Sequence, residues 1–165
     1  MSRNTKTIIA IVGTIVIFLV LSVMANELGS PIAKAFILKA GGINHTEWVK
    51  YYSGLVKLVG LVSCLITLYW YISTRFIKKI TYPTGVNCRG LWIVLGALNI
   101  GLCFIIPWVY SIMNKKFPMS IIICIFFAVL FSIGYYVVSL IFTPDSYKYT
   151  PWGAMKVRRM RGKKR

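Results

Sequence analysis

A lysine stands inside an otherwise uncharged apolar run: Lys57, in GLVKLVG. An ionisable group there is a functional candidate by default, because an ammonium in hydrocarbon needs an anion, a carbonyl or a route to water. Snorkelling competes as an explanation, since a lysine stem covers most of the ~10 Å to the nearer end of the run. Lys57 shares one helical face with Lys50, Gly54 and Cys64. A second candidate is GALNIG, where Ala97 and Gly101 are four apart and permit close helix approach, and Asn99 can hydrogen-bond to another helix. Ala97, Asn99, Gly101, Gly54 and Lys57 are therefore the candidate helix-recognition residues. Gly60 with Cys64, and Gly134 beside Ser132, Tyr135 and Tyr136, are lesser faces of the same kind.

Other chemistries lack their residues. A metal site needs three or four ligands, and the chain has one His and three acids, with His45, Glu47 and Glu27 in a single connection. Cys64, Cys103 and Cys124 lie in apolar runs and Cys88 in a basic connector, with no CxxC, so free thiols are expected rather than disulfides or a redox pair. No carboxylate falls in the middle of an apolar run to relay protons, and one His cannot supply a haem ligand pair. His45 has no nucleophile and orienting group at hand. The expectation is a protein that is not an enzyme and takes neither metal nor cofactor. Asn44-His45-Thr46 matches a glycosylation sequon, which has meaning only in a eukaryotic secretory route.

The elements that carry these residues follow from solvent. Hydrophobic residues make up 58% of the 165, the formal charge is +17, and the charge is concentrated between the apolar runs. Residues 7–25, 51–74, 90–113 and 119–142 are each long enough, at about 28–36 Å, to cross the hydrocarbon core as helix. A barrel would alternate with period two, and these runs are continuous. The predicted fold class is thus all-α: one polytopic membrane domain, 1–165, of four transmembrane helices. Arg3, Lys6 and the run ending Val23-Met24-Ala25 also fit a signal peptide, but the length of the run favours a retained span.

Fourteen Lys or Arg fall on one side of these spans and five on the other, so the positive-inside bias predicts both termini in the cytoplasm. Arg75, Lys78 and Lys79 lie on the inner side, as does the basic cytoplasmic tail 143–165 with Arg158, Arg159, Arg161, Lys163, Lys164 and Arg165. These are predicted to lie against anionic lipid headgroups at ~1 kcal/mol each. Nucleic acid is not an expected partner, since no nucleic-acid-binding motif accompanies the basic tail. Trp48, Tyr51, Tyr52, Tyr69, Trp70, Tyr71, Trp92, Trp108 and Tyr110 flank the runs as interface anchors.

Segment 26–50 holds Pro31, Gly41 and Gly42, with Ile32, Phe36 and Lys39 at spacings of four and three; it suits a short interfacial helix or a re-entrant hairpin. Tyr82-Pro83-Thr84-Gly85 marks the turn between the second and third helices. The short NKKFP connection predicts a tight antiparallel hairpin of the third and fourth, and Thr143-Pro144 stops the fourth. No internal repeat of the kind that builds many transporters is visible.

Two patches, LYWYISTRFIKKI (68–80) and LIFTPDSYKY (140–149), resemble the corresponding places in immunity proteins of pore-forming colicins, the four-helix kind protecting against colicin A. The four spans, inner termini, length and basic balance are similar as well. The resemblance implies a bacterial inner (cytoplasmic) membrane protein that recognises the membrane-inserted helical hairpin of a toxin and performs no catalysis. From the residues alone, two further readings stand: a structural or accessory subunit of a secretion, conjugation or polysaccharide-export complex, or a small flippase-like carrier holding a lipid phosphate on Lys57.

Overall fold

The computed structural model describes residues 3–37, 45–76, 88–113, 121–143 and 151. It contains α1 (Arg3–Ile37), α2 (His45–Phe76), α3 (Cys88–Met113) and α4 (Ile121–Phe142), with no strand among the described residues. Each helix is long and apolar enough to cross a membrane.

Two helices outrun their apolar stretches on the same side. At 35 residues α1 is about 52 Å long, against a hydrocarbon thickness of ~30 Å. It continues from the first span through Pro31 to Ile37, so the described part of 26–50 is neither a separate interfacial helix nor a re-entrant hairpin. The rest of that connection, residues 38–44, lies outside the described residues. What keeps the helix going is a contact with α2. Tyr52 donates its hydroxyl to the Ala25 carbonyl at 2.8 Å, and its ring occupies the space that a side chain at Gly29 would need. Pro31 removes only one ladder bond there, and it is exposed. Helix α2 in turn begins at His45, before the expected 51, because Trp48 stacks on Tyr52 with ring centroids 5.0 Å apart and is buried.

The helices pack with α2 and α4 as an inner pair that touch one another, α1 against both on one side, and α3 against both on the other. The most extensive contact is α3 on α4, as the short connection between them predicts. Phe18, Leu55, Val56, Val59, Phe127 and Phe131 fill the centre, with Phe18 stacked on Phe131 at 6.3 Å. The outer faces are equally apolar: Ile8, Val12, Leu19, Leu61, Leu65, Val94, Ile105 and Ile133 are all exposed. Such faces suit lipid and not water.

Several polar groups inside the bundle find partners within the chain, whereas the buried Ser63 and Ser139 hydroxyls have none among the described residues. Thr14 donates to the Ala10 carbonyl at 2.7 Å and Thr67 to the Ser63 carbonyl at 2.8 Å. Trp70 Nε1 donates to Thr143 Oγ1 at 3.1 Å, joining α2 to the end of α4. There Thr143 makes the last helical backbone bond, to Ser139, and Pro144 has no N–H with which to extend it. The aromatic anchors divide. Tyr51, Tyr69 and Trp108 are exposed as expected for a belt, whereas Trp48, Tyr52, Trp70 and Tyr71 are buried and serve the bundle.

Close approach is bought by glycine. A side chain at Gly60 would strike Ser22 and touch Phe131, and one at Gly134 would strike Leu21 and touch Phe18. Gly60 and Gly134 themselves are therefore filled from within the chain. Gly134→Leu should lower the unfolding free energy in mild detergent by about 1–3 kcal/mol, the usual range for overpacking. Gly101→Leu, with no atom within 4 Å of its added Cβ, should stay within about 0.5 kcal/mol.

Candidate functional site

The five candidate recognition residues do not form one face. Asn99 follows Ala97 by two positions, so their side chains point about 200° apart around α3. Asn99 is fully buried against α4, donating from Nδ2 to the Phe131 carbonyl at a long 3.4 Å and accepting a weak bond from Cys103 Sγ at 3.9 Å. It joins α3 to α4 within the chain, on the side of α3 away from Ala97. A single polar residue in an apolar run signals a helix contact without revealing whether the contact lies inside the chain or outside it.

Ala97 points outward and Gly101 stands open. With Ile100 and Phe104 they make one stripe along α3, at spacings of three and four. This stripe flanks a groove of about 580 Å³ between α3 and α4, whose α4 wall includes Ile125, Ala128, Val129, Ser132, Ile133 and Tyr136. Ala128 and Ser132 are themselves a small pair four apart, so the α4 wall is shallow there, facing Ile100 and Phe104 of α3. Buried Ser132 Oγ has no hydrogen-bond partner among the described residues. The FAVLFSIG segment carried this signal in sequence, but nothing there indicated that Ala128 and Ser132 would meet Ile100 and Phe104.

Gly54 and Lys57 are also outward, on α2. No atom lies within 4 Å of a Cβ placed at Gly54. Cys64 on the same face is half-buried, and Cys103 and Cys124 are buried in the bundle; all three are free thiols. Arg75 sits in the last turn of α2, while Lys78, Lys79, Arg158, Arg159, Arg161, Lys163, Lys164 and Arg165 lie outside the described residues. Among the described residues no three His, Cys, Asp or Glu gather as metal ligands.

The arrangement offers shape: an apolar groove on the outside of a helix bundle, walled by α3 and α4. Asn99→Leu should destabilise the bundle by about 0.5–2 kcal/mol in detergent unfolding. Ala97→Leu should leave that unfolding unchanged within about 0.5 kcal/mol, because the added atoms face outward. Comparison with protein families, with curated proteins and with solved structures finds no match to the chain.

Proposed function

We propose that the chain is a non-catalytic multi-pass membrane protein that recognises another membrane-inserted helix or helical hairpin on the α3/α4 surface. The observation that carries this is the open small-residue stripe of Ala97 and Gly101 beside the groove floored by Ala128 and Ser132. In lipid there is no hydrophobic drive between helices, so association depends on how closely backbones approach and on the few polar groups that meet. Small residues facing inward explain a bundle; small residues left facing outward invite a partner.

Within this reading we propose immunity to a pore-forming bacteriocin, exercised in a bacterial inner membrane with both termini in the cytoplasm. The inserted hairpin of the toxin would seat in the groove and be kept from opening. One contact supports it beyond the sequence resemblance. The two resembling patches meet in space, where Trp70 of the first donates to Thr143 of the second. The competing reading is a subunit of a larger membrane assembly, for which the same groove would be a permanent interface.

Expression of the chain in cells challenged with a panel of pore-forming toxins separates these. Protection against a single toxin, lost in Gly101→Leu at an equal level in the membrane, is the expected result. Protection against none, together with co-purification of a fixed partner that Gly101→Leu releases, assigns the groove to an assembly instead. If Gly101→Leu changes neither outcome, the α3/α4 surface is not the recognition face.

A further inference from the structure

The outward stripe of α2 carries an unexplained charge. Lys57 is exposed on α2, within the part of that helix that is long and apolar enough to cross a membrane. Among the described residues it takes part in no hydrogen bond or ion pair. Exposed Tyr51 and its edge-on neighbour Tyr110, with ring centroids 6.4 Å apart, mark the nearer end of the span. Lys57 is six residues, hence about 9 Å, deeper.

We propose that Lys57 and Gly54 form a binding site for the phosphate of a phospholipid in the leaflet at the Trp48 and Tyr51 end of α2. A helical side chain leans toward the N-terminus of its helix, so the lysine stem runs over Gly54 toward that leaflet. Gly54 leaves an open notch in its path. A lysine stem spans roughly 6 Å, which brings the ammonium to just beneath the aromatic level and not out into water. At that depth the anion at hand in a bilayer is the phosphodiester, and a charge-assisted bond to it offsets the cost of holding the ammonium below the surface. Lys50, exposed two turns nearer the surface on the same stripe, adds positive potential at headgroup level. Glu47 heads the stripe one turn beyond Lys50, farther from the notch. The site lies at the opposite end of α2 from Arg75.

The test uses the full chain with isotope-labelled lysine in bilayers of phosphatidylglycerol and phosphatidylcholine. Nitrogen–phosphorus dipolar dephasing is read by solid-state magnetic resonance, with Lys57→Met assigning the signal. The Lys57 ammonium should be dephased by lipid phosphorus, and Gly54→Leu, which fills the notch without touching the bundle, should reduce the effect severalfold. Native mass spectrometry should show one phospholipid fewer retained in Lys57→Met and none fewer in Lys57→Arg. Undiminished dephasing in Gly54→Leu would mean that the lysine merely snorkels, and would overturn the site. So would an absence of dephasing in the parent protein, or dephasing seen only with inorganic phosphate in bilayers of a phosphorus-free lipid.

Discussion

A polypeptide in hydrocarbon has no water to receive its amides and carbonyls, and every other feature of this protein follows from that constraint. The four apolar stretches can only be helices, because helix is the structure in which each segment satisfies its own backbone. Many of the polar side chains follow the same rule. Thr14 and Thr67 return their hydroxyls to carbonyls one turn back, and Tyr52, Trp70 and Tyr135 reach across to acceptors on α1, beyond the end of α4, and on α3. Polar groups thereby join the bundle, each bond replacing a solvent contact that lipid cannot supply.

With self-satisfied cylinders, the remaining freedom is how near they come. Leucine and isoleucine are as comfortable against lipid as against one another, so burial of apolar surface does little to choose neighbours. Glycine chooses them. Gly29 admits Tyr52, Gly60 admits Ser22 and Phe131, and Gly134 admits Phe18 and Leu21, which fixes α1 against α2 and α4. On α3 Gly96 admits the Tyr135 ring, and Tyr135 and Asn99 each bond across the α3/α4 contact. Both flanking helices are therefore held by a glycine notch together with a polar contact, which Tyr52 supplies for α1.

The number and type of the helices were legible in the sequence because apolar length is a direct signal. Facing was not. A soluble helix announces its buried side by alternation with polar residues, but α4 is apolar all round, and Phe131 inside and Ile133 outside differ in no property that lipid reads. Residue type alone therefore assigned Asn99 and Ala97 to one face when they lie on opposite ones. The same blindness made belt anchors of Trp48 and Trp70, whose indoles are buried in the bundle. Helix ends beyond the apolar stretch were illegible for another reason. Past Ala25 the chain is in a region where helix and loop are both solvated, and a tertiary contact from Tyr52 decided between them.

Facing also sorts the candidates by function. A polar or small residue turned inward has its partner within the chain, as Asn99 has Phe131 and Gly134 has Leu21. One turned outward has a partner only if something else in the membrane provides it. Ala97 and Gly101 present closeness without charge, which suits another helix; Lys57 beside Gly54 presents charge within a notch, which suits a phosphate. The two outward features sit on different helices and ask for different chemistry, so an occupant of one would not have to displace an occupant of the other.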